Sequence, residues 1–167
     1  MTRQEITEFY REHHRRLFSI SLRILHDPDE AEEVMQDTLL KYISSPGNFS
    51  SDAQVSAWLA RTCIRASIDR LRRRERRNSF LKDYARWQDD TDMSFAGSGE
   101  TPSLPDISQV KVAMDALPDP YRLVLDLVLI EGLDYGEIAA LTGRKEPTLR
   151  SLYSRGRCKL LEMLKKI

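Results

Sequence analysis

Near the C-terminus, hydroxyl residues and arginines recur along a helix at a spacing suited to reading a DNA groove. Leu149, Tyr153, Gly156, Leu160 and Leu164 follow one another at steps of four, three, four and four, which fixes the buried side of that helix. At 100° per residue the opposite side presents Pro147, Ser151, Ser154 and Cys158, flanked by Thr148, Arg150 and Arg155, with Arg144 and Lys145 just ahead. Arginine grips guanine edges or phosphates, and short side chains let a helix approach the bases closely. Upstream, Thr142-Gly143 supplies a tight turn. Asp134 with Glu137 makes a capping-box start for a short helix whose buried side carries Ile138, Ala139 and Leu141. Short helix, glycine-centred turn and basic helix together make a helix-turn-helix pattern. The alternative for the same residues is a solvated basic face on a helical hairpin.

Two other groups carry binding chemistry. Asn48-Phe49-Ser50-Ser51 puts an aromatic ring and small polar groups in a loop, just before a helix bearing Arg61, Arg65 and Arg72 at i, i+4 and i+11. Rings stack on unpaired bases, while amides and hydroxyls meet base edges. Against this, Phe49 could simply plug the core, Ile68 interrupts the arginine stripe, and the run Arg70–Arg77 could be a helix end whose cations suit the dipole. Further upstream, Asp29, Glu33, Gln36 and Leu40 share one side of a helix, with Glu32 and Asp37 at its edges. A leucine among acids has the anatomy of a protein-binding surface, an apolar anchor with a charged rim. An acid-rich solvated face is the competing reading. Such a surface repels DNA, so a partner for it is a basic protein surface.

Positioning these groups requires an all-α chain. Ile6, Phe9, Tyr10, His13, Leu17, Ile20, Ser21 and Ile24 predict an amphipathic helix over 5–26. Asp27-Pro28-Asp29 starts the next helix, with an Asp cap, an early proline and acids at the positive end of the dipole. That helix runs to about Tyr42 and buries Ala31, Val34, Met35, Thr38, Leu39 and Tyr42. Residues 44–51 read as a loop, and 53–76 as a long helix with Trp58, Leu59, Cys63 and Ala66 on one side. Composition changes over 78–107, where Asp89-Asp-Thr-Asp92, Gly97-Ser-Gly99 and Thr101-Pro-Ser-Leu-Pro105 make a flexible acidic linker. Helical periodicity returns through Val110, Ala113, Met114 and Leu117, then an apolar helix from Tyr121 to Glu131 closed by Gly132. Two small helical domains, 1–77 and 108–167, joined by the linker 78–107, are the expected organisation.

The 167 residues carry equal numbers of acids and bases, so the net charge of zero says nothing about partners. Its distribution does. Eight arginines face two acids over 61–77, and eight bases face two acids over 144–166. Six acids and no base occupy 27–37, and six acids face one arginine over 83–106. Such segregation governs association more than fold. Cys63 and Cys158 are isolated, which disfavours a disulfide framework or a zinc site and fits a reducing compartment. Charges recur through the N-terminus and no apolar run nears the roughly 20 residues that span a bilayer, so a cytoplasmic protein without membrane insertion is expected. No phosphate loop, HExxH, Cys–His pair or metal-ligand cluster appears, so neither an enzyme nor a metal or cofactor site is expected. A stand-alone helix-turn-helix regulator is the competing class, but it leaves the acidic helix and the linker without a purpose.

The chain resembles bacterial sigma-70-type factors of the extracytoplasmic-function (ECF) group. Asp29-Glu-Ala-Glu-Glu-Val-Met-Gln-Asp37 is similar to region 2.2 of that family. Ala57-Trp58-Leu59 through Ile68-Asp69-Arg70-Leu71-Arg72 is similar to regions 2.3 and 2.4. Leu117-Pro118 through Gly132-Leu-Asp-Tyr-Gly-Glu-Ile-Ala139 resembles region 4, followed by Thr148-Leu149-Arg150-Ser151 in its recognition helix. The resemblance implies a transcription initiation factor that binds core RNA polymerase, through its β′ and β subunits, and promoter DNA. By the same resemblance Asp29, Glu32, Glu33, Gln36, Asp37 and Leu40 would dock on the β′ coiled coil. The loop Asn48 to Asp52 with Arg61, Arg65 and Arg72 would capture single-stranded bases of the melted −10 element. Arg144, Lys145, Pro147, Thr148, Arg150, Ser151, Ser154 and Arg155 would read the −35 duplex, and an anti-sigma protein is a further expected partner. Arg144, Lys145 and Leu152 depart from the family pattern, and Pro147 fits only the first helical turn. These departures bear on which −35 sequence is preferred, not on the docking mode.

Overall fold

The computed structural model describes residues 1–77 and 105–166. Every regular element among them is helical, in keeping with the all-α expectation. The chain divides into two units, Met1–Trp87 and Gln88–Ile167. The acidic stretch read as a linker lies, but for its last three residues, outside the described residues.

In the first unit, α1 (Arg3–Leu25) opens on a capping box that periodicity alone did not reveal. The Glu5 N–H donates to Thr2 Oγ1 at 3.3 Å, and the Thr2 N–H donates to the Glu5 carboxylate at 2.6 Å. That second bond favours the ionised form and holds the Glu5 carboxyl below its ordinary pKa. At the far end His26 takes the left-handed conformation, φ 53°, and ends the helix. Helix α2 (Pro28–Ser44) starts as its sequence dictates: Asp27 Oδ1 accepts from the N–H groups of Asp29 and Glu30 at 3.0 Å each, and proline takes a first-turn position that needs no donor. Helix α3 (Asp52–Arg77) follows the loop.

The three helices pack against one another around Leu17, Ile20, Leu25, Val34, Leu39, Leu59, Cys63, Ile64 and Ile68. Each large apolar side chain so buried stabilises the unit by about 1.5–3 kcal/mol relative to exposure. Hydroxyls sit in this core because helix carbonyls satisfy them. Ser21 Oγ lies 2.9 Å from Leu17 O and 3.0 Å from Ala31 O, tying α1 to α2, and Thr38 donates to Val34 O at 2.7 Å. Three positions differ from the periodicity. Tyr10 is exposed and stacks on His14 at a centroid distance of 4.8 Å. Its neighbour Phe9 holds the inward line, and Tyr10 lies 100° round from it. Trp58 and Ala66 are half-buried, whereas Val55, Ala60, Ile64 and Ser67 share the buried side of α3 with Leu59 and Cys63.

The second unit comprises α4 (Ile107–Asp115), α5 (Asp119–Leu125), α6 (Tyr135–Thr142) and α7 (Glu146–Lys165). The Gln109 side chain accepts from the Asp106 N–H at 3.0 Å, so α4 begins at the end of the expected linker. Ala113, Leu117, Leu125 and Leu160 form a buried cluster covered by Met114, Tyr153, Met163 and Leu164. Gly156 lies at the crossing of α5 and α7. A Cβ there would meet Tyr121 Cβ at 3.0 Å and Leu125 Cδ1 at 3.3 Å, so its place on the inward face follows from close helix approach.

The apolar helix expected from Tyr121 to Glu131 is not uniform: α5 gives way to a π turn over Asp126–Ile130. The Glu131 N–H donates to Asp126 O at 3.1 Å, five residues back. Val124, Leu125, Asp126 and Leu127 are all buried, more consecutive residues than one side of a regular α-helix can cover. The wider turn resolves this and leaves Leu129 and Ile130 exposed.

Candidate nucleic-acid and protein interfaces

The solvent side of α2 is assembled as its spacing requires. Asp29, Glu32, Glu33, Gln36, Asp37 and Leu40 are all exposed, and Leu40 at 59 % cannot be serving the core. Gln36 donates to Glu32 at 3.1 Å one turn away. Glu33 faces a partner the sequence could not name: Arg70 of α3 reaches its carboxylate at 2.6 Å. Arg74 donates to Leu25 O at 2.9 Å and lies 3.5 Å from Glu30. Part of the arginine-rich end of α3 thus ties down α1 and α2.

Asn48, Ser50 and Ser51 are exposed in the loop, but Asp52 is the first residue of α3, not a loop residue. The reason is local. Ser51 O accepts the first helical bonds, from Gln54 at 3.1 Å and Val55 at 3.2 Å, and the Gln54 side chain returns to accept from Ser50 N–H at 2.9 Å. Phe49 is half-buried. Its ring centroid lies 5.9 Å from Tyr42 and 6.0 Å from Trp58, and Tyr42 stacks on Phe9 at 4.8 Å. Its ring also covers Gly47, where a Cβ would fall 2.7 Å from Phe49 Cε2. The plug reading therefore accounts for part of the ring, which stays partly open to solvent. Arg61 and Arg65 are exposed and Arg72 is half-buried, within about 40° of one another around α3. Ile68 does not break this row, because it turns into the core at 2 % exposure.

In the second unit the helix-turn-helix forms with its expected parts. Asp134 Oδ1 accepts from Glu137 N–H at 2.8 Å and Glu137 accepts from Asp134 N–H at 3.1 Å, closing the capping box of α6. Gly143 at φ 69° ends α6 in the left-handed conformation that glycine adopts without a Cβ penalty. Arg144 is half-buried and its N–H donates to Thr142 Oγ1 at 3.3 Å, while Lys145 occupies the cap of α7 without a side-chain bond. Pro147, Thr148, Arg150, Ser151 and Ser154 are exposed on one side of α7; Arg155 is half-buried at its border. Cys158, placed by spacing at the centre of that side, is half-buried instead, since α7 is covered more widely toward its C-terminal end. Three neighbours escaped the sequence reading. Arg157 is exposed two turns after Arg150, a signal present in the spacing. Tyr135 and Glu146 both approach the Arg150 guanidinium, which only the fold could show. Among the described residues, no group of three or more His, Cys, Asp and Glu residues gathers as metal ligands do, and no helix is long and apolar enough to cross a membrane.

Comparison with known proteins agrees with this layout. The family described as sigma-70 region 2 matches residues 9–77, and sigma-70, region 4 matches residues 107–160. The ECF RNA polymerase sigma factor EcfG of Rhodopseudomonas palustris is 31 % identical over 157 residues, covering 89 % of this chain and 78 % of that protein. The ECF RNA polymerase sigma factor SigM of Mycobacterium tuberculosis is 27 % identical over 163 residues, 97 % of this chain and 78 % of its own. In fold, the chain is similar to one in the co-crystal structure of the sigma factor RpoE with the anti-sigma factor NepR from Bartonella quintana. The TM-score is 0.57 at 23 % identity, over 97 % of this chain and 98 % of that one. With regions 2 and 4 present in order, and relatives matching along nearly its whole length, the chain belongs to the ECF group of sigma-70 factors, promoter-directing subunits of RNA polymerase that perform no catalysis themselves.

Proposed function

We propose a division of labour within this sigma factor, with residues 1–77 as the polymerase-docking and −10 domain, 78–107 as the linker and 108–167 as the −35 domain. The exposed side of α2, Asp29, Glu32, Glu33, Gln36 and Asp37 around Leu40, docks on the β′ coiled coil. Asn48, Phe49, Ser50, Ser51 and Asp52, with Arg61, Arg65 and Arg72, hold non-template bases of the melted −10 element. Unstacking costs a few kcal/mol per base, and stacking on an aromatic ring with phosphate contacts offsets it. Arg144, Lys145, Pro147, Thr148, Arg150, Ser151, Ser154 and Arg155 meet the −35 duplex. The acidic linker passes through the polymerase cleft, whose charge suits nucleic acid. The observation that carries this reading is the exposure of Leu40 within an acidic face while cationic rows occupy other helices.

The protein works where the chromosome is, in the cytoplasm. An anti-sigma partner is proposed by likeness to the RpoE–NepR complex. Run-off transcription with purified core polymerase tests the whole reading, on templates whose start sites were mapped after overexpression. The expected result is start-site-specific transcripts that require both core enzyme and this chain. Binding of the templates with no transcript in the presence of core enzyme would refute it.

A further inference from the structure

At the mouth of the helix-turn-helix, Arg150 is held from two sides. Its guanidinium carbon sits 5.4 Å from the centroid of the Tyr135 ring, and Nη2 lies 3.5 Å from Oε2 of Glu146, one turn earlier on α7. The two holders come from different elements: Tyr135 opens α6 and Glu146 opens α7. Tyr135 is itself braced, meeting Tyr153 edge-on at 6.2 Å, and Tyr153 packs on the buried cluster of the unit. The arginine side chain nevertheless remains 65 % exposed. A ring face below and a carboxylate beside it leave the remaining N–H groups of the fork open to solvent.

The charge on Glu146 is out of place for affinity alone. It stands in the first turn of a helix that faces a phosphate-lined groove, where a carboxylate repels any DNA. The exposed Glu146–Arg150 pair contributes little to stability either. Its effect on Arg150 is different in kind. An arginine free on a helix surface turns readily to the nearest phosphate, a contact that carries no sequence information. One drawn toward Glu146 and lying over the Tyr135 ring is biased away from phosphate and toward presenting its fork outward.

We propose that Tyr135 and Glu146 are specificity-determining positioning residues that hold Arg150 for bidentate contact with the O6 and N7 of one guanine in the −35 element. The inference rests on the −35 reading of α7, and it makes a prediction that reading does not. Removing the Glu146 charge strengthens binding to every duplex while it weakens base discrimination. A purely structural role for these residues would move affinity and discrimination down together, through loss of fold.

The test uses the full-length chain with core polymerase and the duplex recovered by that holoenzyme from a library randomised in the −35 element. Each base pair of the recovered duplex is then substituted in turn, and relative affinities are measured for wild type, R150A, Y135L, Y135F and E146Q. R150A is expected to lose discrimination at one base pair by about fivefold or more, the low end for an arginine–guanine pair. Y135L should lose discrimination at the same base pair, Y135F should retain it because the ring face remains, and Y135L should add nothing in the R150A background. E146Q, an exposed change that leaves the core intact, should bind all duplexes more tightly yet discriminate less at that position. If R150A abolishes discrimination while Y135L and E146Q keep the wild-type pattern, the positioning role is wrong and the −35 reading stands. If R150A leaves every preference intact, the assignment of Arg150 to the −35 element falls, and this inference with it.

Discussion

Phe49 packs in the first unit and, in the proposed −10 reading, also meets a base. Its ring joins an aromatic cluster drawn from α1, α2, the loop and α3, with Phe9, Tyr42 and Trp58 as its other members. In that −10 reading its exposed part is what meets the base. Leucine in its place keeps most of the apolar volume but removes the π face, so the two duties separate. Phe49→Ala should destabilise the first unit by about 1–2 kcal/mol, below the cost for a fully buried phenylalanine, and also impair open-complex formation. Phe49→Leu should preserve stability to within about 1 kcal/mol while still lowering permanganate reactivity of −10 thymines in the polymerase complex. Full reactivity with leucine would assign Phe49 to packing alone. The same logic of doubled duty applies to Glu33, which lies on the proposed docking face yet is already engaged by Arg70.

At the scale of the helix, α2 has a sharp boundary between a buried side of Ala31, Val34, Met35, Thr38 and Leu39 and a solvent side of acids around Leu40. Reversing charge at Glu33 is a poor probe of docking, because a lysine there would face Arg70 inside the same molecule. Asp37 and Leu40 are cleaner. Leu40→Ala should leave unfolding free energy within about 0.5 kcal/mol of wild type, since the side chain is already in water. Both Leu40→Ala and Asp37→Lys should weaken the complex with core polymerase by roughly tenfold, measured by fluorescence anisotropy of labelled protein, with Asp37→Lys showing the greater dependence on salt. Unchanged affinity in both would remove α2 from the docking surface. Local signals likewise set helix ends in both units. Asp27 and Asp134 cap α2 and α6, and Gly143 ends α6 in a conformation that residues with a Cβ rarely take.

Over the whole molecule, the net charge is zero while its cationic residues concentrate on α3 and α7 and its acids on α2 and the joining stretch. Under the proposed division of labour, a sigma factor so arranged would gain its affinity from simultaneous contacts. Once one unit is seated, the covalent connection holds the other at high effective concentration near its own DNA site, an advantage of about 10²–10⁴ where the geometry allows both. Cutting the chain within 78–104 and supplying both pieces with core polymerase should therefore lower run-off transcription at least tenfold. Restoration should require piece concentrations far above those of the intact chain. Equal yields from cut and intact protein at the same concentration would show that the two units need no connection.

Much of this is legible in the amino-acid sequence. The inward faces of α1, α2 and α7 follow from apolar spacing. The starts of α2 and α6 follow from Asp27-Pro28 and from Asp134 with Glu137, and the left-handed stop follows from Gly143. These features are decided within one or two turns of chain, where a residue's own type and its neighbours at three and four positions set the outcome. The π turn over Asp126–Ile130, the gathering of Phe9, Tyr42, Phe49 and Trp58, the arginine ties from α3 to Glu33, Glu30 and Leu25, and the bracket of Tyr135 and Glu146 around Arg150 are not. Each depends on which face of one helix meets which face of another, and on how many consecutive side chains a crossing must bury. Sequence determined the helices, their exposed chemistry and the family pattern; tertiary packing decided which of the charged and aromatic groups are engaged internally and which remain open to a partner, because contacts between residues remote in sequence exist only once the chain has closed on itself.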